Sequence, residues 1–246
     1  MKHLLYLILS VAAVIPSTAA DYRTIATKAQ RFYGQKEWAS ATAMYWLMLE
    51  EKPDNPDTYS HAIISAAMQS DTTAQLALME KAMQYHVPFD SIFTAVERES
   101  FSVGQSKLYE NFMKHIKEAQ PWLSRNIDGY LLRYYTFRKD ADRMVEYSNI
   151  MLDGMPDDTG YLTTLAQGYM LGNKPQEAMN TYRRILFLEP DNYNALLELG
   201  NYSLILFRQT GNETYRKEAL SMMRRAEALR PTPYITSVIT GLEDTD

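Results

Sequence analysis

The chain has 246 residues, a formal net charge of −5 at pH 7 and no cysteine. Without cysteine, disulfides, thiolate metal sites and cysteine nucleophiles are all excluded. The mildly acidic balance argues against nucleic acid as a general partner, because phosphate binding depends on clustered lysine and arginine.

The start of the chain has the pattern of a secretory signal peptide. Lys2 and His3 give a basic beginning, an apolar stretch covers 4–15, and Pro16 is followed by small residues. The stretch is shorter than the roughly 20 apolar residues that a membrane span needs. We therefore predict cleavage after Ala20 and a periplasmic or secreted protein, with an uncleaved anchor as the alternative. No cysteine is present to be acylated, so we expect no membrane insertion after cleavage.

From residue 22 onward, the sequence repeats a pair of amphipathic helices. Each of the two helices in a pair contains one small residue, and aromatic or apolar residues follow it at helical spacing. A proline closes the pair, because the residue before a proline avoids the helical conformation. These residues are Ala29, Phe32, Ala41, Tyr45, Met48 and Pro53 in segment 22–55, and Ala166, Tyr169, Ala178, Tyr182, Ile185 and Pro190 in segment 159–192.

The spacing resembles the tetratricopeptide repeat, a helix–turn–helix unit of about 34 residues. In that family the two small residues face each other where the helices cross, so that the helix axes approach to about 8–10 Å. The same frame, carried along the chain, predicts units at 22–55, 56–89, 90–124, 125–158, 159–192 and 193–233 and a cap at 234–246.

Two of these units fit the pattern loosely. We predict that 90–124 is a degenerate repeat, because Glu97 and Tyr109 stand where small residues belong. The unit 193–233 fits only with an insertion around 207–213. We expect that insertion to lengthen a loop, since loop growth costs little entropy.

The predicted fold is all-α. It is a right-handed superhelical solenoid of antiparallel helix pairs, with about six repeats and a C-terminal capping half-repeat, in a single domain over 21–246. The resemblance implies a non-catalytic scaffold or adaptor that binds a protein or peptide partner, and the signal-peptide pattern places it in the cell envelope. The alternative is a self-assembling structural component of an envelope complex.

The resemblance also implies a concave groove lined by the first helix of each pair. Apolar residues flanked by amides and a few charges suit an extended peptide or an amphipathic helix. The alternative is that some of the apolar residues pack against the next repeat. The predicted groove residues are Arg23, Gln30, Tyr33, Asp57, Met68, Arg133, Phe137, Gln167, Met170, Leu171, Asn194, Asn201 and Ile205.

Two other surfaces are candidates for an interaction. Trp46 and Leu47 lie in a helix that is apolar all round, so either the N-terminal segment or a second copy of the chain is expected to cover them. The arginine pairs 183–184 and 224–225 occupy matching repeat positions. They indicate either an anion-binding ridge or, more simply, a solvated ridge balanced by nearby acids.

No motif for catalysis, a cofactor or a metal is present. The sequence contains no G-x-S-x-G, Walker-type or G-x-G-x-x-G pattern, and no two of its histidines stand at the helical i, i+4 spacing. We expect no cofactor and no enzyme activity. The family's clamp for a C-terminal carboxylate is not expected either, because Ala26 and Gln30, and in a later unit Thr163 and Gln167, replace its lysine and asparagine.

Overall fold

The computed structural model describes residues 22–244, which contain thirteen α-helices and one 3₁₀ turn. The predicted signal peptide and its cleavage site lie outside the described residues. The chain divides into two compact units, which we call the N-terminal unit, ending at Pro121, and the C-terminal unit, beginning at Trp122.

The N-terminal unit consists of three helix pairs. Within each pair the helices pack on each other, and the first helices of the second and third pairs also pack together, as do their second helices. The helices are α1 (Tyr22–Gly34), α2 (Trp38–Glu51), α3 (Pro56–Ala67), α4 (Thr72–Gln84), α5 (Phe89–Ser102) and α6 (Lys107–Ala119).

The C-terminal unit consists of three further pairs and a single last helix, and a 3₁₀ turn at Pro121–Leu123 precedes them. Each helix packs on the next along the chain. The helices are α7 (Ser124–Arg138), α8 (Ala141–Gly154), α9 (Thr159–Leu171), α10 (Pro175–Leu188), α11 (Tyr193–Thr210), α12 (Glu213–Leu229) and α13 (Pro233–Glu243).

The predicted fold class, an all-α repeat of helix pairs, is confirmed. Pro53, Pro156 and Pro190 lie between helices, as their helix-ending role requires. The small residues that the pattern places at the helix crossings, such as Ala166 and Ala178, are fully buried. Among the helices of residues 22–244, none has both the length and the apolar character needed to cross a membrane.

The turn inside each of the first five pairs contains a left-handed residue at the same place in the repeat. These residues are Lys36, Ser70, Gly104, Lys139 and Asn173, with φ between 54° and 71°. The left-handed conformation disfavours residues other than glycine and asparagine. It persists at the two lysines and the serine because the chain must turn tightly there, and the amide of each residue donates to a carbonyl near the end of the preceding helix.

The third pair, predicted to be degenerate, is nevertheless complete. Tyr109 replaces a small residue at the helix crossing and is fully buried there. The same pair also buries Phe93 and Phe112 fully, with ring centroids 6.2 Å apart, so its interior is rich in aromatic side chains.

The insertion in the sixth pair lengthens its two helices. The prediction of a longer loop is therefore wrong. Helix α11 has 18 residues and α12 has 17, and only Gly211 and Asn212 separate them. Leu204 and Phe207 continue the apolar face of α11, so the added turns bury surface against α12 and α13. Asn212 then caps α12 by accepting a hydrogen bond from the Thr214 amide.

The last helix has the character of a cap. Ile235 and Leu242 are buried, and α13 packs on α12. Gly241 stands where complete pairs place a small buried residue, yet a Cβ added there would meet no atom within 4 Å. Its surroundings are open because no second helix follows α13 within residues 22–244.

Candidate binding surface

The arginine pairs are used inside the fold. Arg184 donates to the Pro156 carbonyl oxygen at 2.7 Å, and Arg225 donates to the carbonyl of Pro190, which is the equivalent contact one repeat later. Each of these arginines therefore holds the loop of the preceding pair. This use of their donors supports a structural role over an anion-binding ridge.

Arg183 makes a bidentate contact with Glu218. Its Nε and Nη2 atoms lie 2.8 and 2.9 Å from the two carboxylate oxygens, and Ser203 Oγ also donates to Glu218 at 2.8 Å. Burial alone would raise the pKa of Glu218, but the hydrogen bonds from Arg183 and Ser203 and the charge of Arg183 outweigh it and lower that pKa. The contact ties α10, α11 and α12 together.

Trp46 and Leu47, predicted as a self-association patch, are half-buried. The Lys81 ammonium lies 5.7 Å from the centroid of the Trp46 ring and 2.8 Å from a Glu50 carboxylate oxygen. The indole is thus partly covered by the neighbouring helix α4. Self-association through these residues stays a prediction.

In the N-terminal unit, predicted groove residues take part in contacts between repeats. The Tyr33 hydroxyl donates to Glu99 Oε1 at 2.6 Å, and the Glu99 side chain is only 12% exposed. Burial raises the pKa of Tyr33, and the hydrogen bond to Glu99 adds to this effect. The contact joins α1 to α5, two pairs apart.

His61 completes this cluster. Its Nδ1 lies 2.6 Å from the Asp57 carbonyl oxygen, which can only accept, so Nδ1 is the donor in this contact. Its Nε2 then faces Glu99 Oε2 at 3.8 Å. The Asp57 carboxylate pairs with Arg98. Tyr33 and His61 both contact Glu99, and Asp57 contacts Arg98. These contacts connect α1 and α3 to α5.

The remaining groove residues predicted in the N-terminal unit lie outside its core. Arg23 and Gln30 are exposed on α1, and Met68 is half-buried immediately after α3. A binding role for this face stays a prediction.

The C-terminal unit contains an open cleft of about 530 Å³ bounded by α7 to α11. Four of the predicted groove residues line it: Gln167, Met170, Leu171 and Asn194. The sequence pattern placed them on two different first helices, α9 and α11. The structure brings them together on one surface.

One cleft residue, Leu171, belongs to a set of exposed apolar side chains at one repeat position. Phe137, Leu171 and Ile205 are 74%, 50% and 46% exposed, and each is the thirteenth residue of its predicted repeat. Residues at the same position of successive repeats face the same side of the stack. Apolar groups gathered on one face in this way are typical of interaction sites, whereas single exposed ones are ordinary. We call these three residues the apolar row.

The two predicted polar residues Arg133 and Asn201 of this unit lie outside the cleft. Arg133 lines a separate depression of about 430 Å³ together with Arg125 and Tyr130. Asn201 accepts a hydrogen bond of 2.6 Å from the Tyr234 hydroxyl on α13. The polar residues expected to flank the groove are therefore divided between the cleft and its surroundings.

Glu198 and Tyr202 are among the cleft residues that the sequence analysis missed. They follow Asn194 at intervals of four along α11, which places all three on one helix face. Burial raises the pKa of Glu198, and burial followed by the charge of Glu198 raises the pKa of Tyr202. The spacing was visible in the sequence, but a carboxylate at that spacing also fits an ordinary surface helix.

The described residues contain no cluster of three or more histidine, aspartate or glutamate side chains arranged to hold a metal ion. The cleft offers apolar contacts, amide hydrogen bonding, one carboxylate, Glu198, and one ammonium group, Lys139.

No family model matches the sequence, and no curated protein is significantly similar to it. Solved structures are similar at low identity. A Bacteroides ovatus protein superimposes with a TM-score of 0.51 at 15% identity, over 77% of this chain and 97% of its own. This similarity concerns the fold alone.

Two repeat proteins are also similar in structure, with lower scores. They are the C-terminal part of a TPR repeat-containing protein from Cytophaga hutchinsonii (TM-score 0.42, 13% identity, 92% of this chain and 96% of that one) and a tetratricopeptide repeat protein from Parabacteroides merdae (TM-score 0.36, 13% identity, 90% and 98%). The helix pairs, the buried small residues at their crossings and the repeated left-handed turn together make this chain similar in fold to tetratricopeptide-repeat proteins.

Proposed function

We propose that this chain is a non-catalytic scaffold that binds a segment of another protein in the cleft of its C-terminal unit. The observation that carries the proposal is the apolar row, Phe137, Leu171 and Ile205, whose side chains remain exposed at one position of three successive repeats. A partner segment that covered them would remove apolar surface from water, and this removal is favourable.

The free energy gained by covering the apolar row fits a reversible interaction. Fully burying a leucine, isoleucine or phenylalanine contributes about 1.5–3 kcal/mol, and these side chains are already partly covered, so about 1 kcal/mol each is expected. The amides of Gln167 and Asn194 can pair with the backbone of an extended segment. Because association itself costs several kcal/mol, these contacts by themselves support a weak, reversible interaction.

The proposal includes a cellular location. The basic and apolar pattern of residues 1–20 supports export, so we place the scaffold and its partner in the periplasm or outside the cell. The partner is then an envelope or secreted protein.

Replacing Phe137, Leu171 and Ile205 together by serine is expected to reduce partner binding at least tenfold, because about 1 kcal/mol is lost at each position. The free energy of unfolding should fall by no more than about 1.5 kcal/mol, since a substitution at an exposed position usually costs about 0.5 kcal/mol or less. The measurement is the yield of proteins that the purified chain captures from an envelope extract of its host, quantified by mass spectrometry.

Phe187→Ser is the matched control, because Phe187 is 85% exposed on α10 and does not line the cleft. It should capture the same proteins as the wild type. Equal capture by the triple variant and the wild type would show that the apolar row does not contribute to the binding site.

A further inference from the structure

A carboxylate without a partner lies in the cleft. Glu198 is half-buried on α11, and within residues 22–244 its side chain has neither an ion pair nor a hydrogen bond. Partial burial of a charge costs free energy unless an opposite charge or a donor compensates for it. The fold leaves this cost uncompensated at Glu198.

The contrast with Glu218 on the next helix is informative. Glu218 is shielded from solvent as well, and Arg183 and Ser203 bind both of its oxygens. The same unit therefore supplies donors for one carboxylate and none for the other. An unpaired carboxylate in an open cleft is available to an incoming donor.

The surroundings of Glu198 suit a cation. Tyr202 follows one turn later, and its ring lies nearly parallel to that of Tyr182, at 17° with centroids 6.5 Å apart. Cationic side chains bind well where aromatic rings and a carboxylate adjoin. The other charged residue of the cleft, Lys139, is exposed on the turn after α7 and forms no ion pair with Glu198.

We infer that the partner segment carries a lysine or arginine side chain that binds Glu198 while its apolar residues cover the apolar row. The inference rests on the proposed function and names the chemistry of the segment that occupies the same cleft. An acidic segment would instead place like charges together at Glu198. The partner is thus a basic, partly apolar segment.

A phage-displayed library of random dodecapeptides tests this inference when it is selected on the wild-type chain. The selected peptides are expected to be enriched in lysine and arginine. Individual peptides, measured by fluorescence anisotropy, should bind Glu198→Gln about tenfold more weakly, because a charge-assisted hydrogen bond is lost. Glu177→Gln is the matched control, since Glu177 is exposed on α10 outside the cleft, and it should bind as the wild type does.

The outcomes separate the inference from the proposed function. Selected peptides without basic residues, or peptides that bind Glu198→Gln as tightly as the wild type, would overturn the inference and leave the cleft as a binding site. A selection that enriches no peptide on the wild type beyond those enriched on the triple serine variant would overturn both.

Discussion

A Phe93→Ala variant is expected to lose about 3–5 kcal/mol of its free energy of unfolding, the usual range for truncating a buried phenylalanine. Phe93 is fully buried in α5, with its ring stacked on Phe89 at a centroid distance of 5.8 Å and edge-on to Phe112 at 6.2 Å. Truncation would leave a cavity inside the third helix pair. The loss would be large because rigid aromatic neighbours cannot collapse fully into the space.

Urea denaturation followed by circular dichroism measures this loss. Phe101→Ala provides the comparison, because Phe101 lies in the same helix and is 38% exposed. We expect it to lose about 1 kcal/mol. If the two variants were equally stable, the third pair would lack the packed interior described above.

A Gly168→Leu variant is expected to lose about 3 kcal/mol, because α8 and α9 approach too closely to admit a side chain. A Cβ at Gly168 would lie 3.1 Å from Met144 Cβ and 3.2 Å from the backbone nitrogen of Val145. A backbone atom cannot rotate away, so the two helices would have to separate. Thermal denaturation of the purified variant measures the effect.

Gly241→Leu serves as the control for this prediction. Gly241 lies in helix α13, and its surroundings are open. Leucine should be neutral there or stabilise the helix by up to about 1 kcal/mol, because it favours the helical conformation more than glycine does. A Gly168 variant as stable as the Gly241 variant would contradict the close approach of α8 and α9.

The helix pairs were predictable because their signals are local. Periodic apolar residues, small residues such as Ala29 and Ala41, and prolines such as Pro53 each act within one pair. The stacking of pairs then follows from the need to bury the remaining apolar faces. The left-handed turns at Lys36 and Ser70 could not be predicted from the sequence, because neither residue type favours that conformation.

The site was only partly predictable. Leu171 and Asn194 follow from the repeat frame, which assigns positions to a helix face. The hydrogen bond between Tyr33 and Glu99 joins residues 66 apart, and no local pattern shows it. Glu198 was overlooked because its distinguishing property, partial burial without a partner, arises only when α9, α10 and α11 come together.

Photo-crosslinking from inside the cleft tests the central claim most directly. Benzoylphenylalanine would replace Leu171 in the cleft in one variant and Phe187 on α10 in another. Both side chains are exposed and apolar, so the probe is equally tolerated. The proposed function predicts that irradiation in the native host joins a partner protein to position 171 and not to position 187. Crosslinking at both positions alike, or at 187 alone, would contradict it.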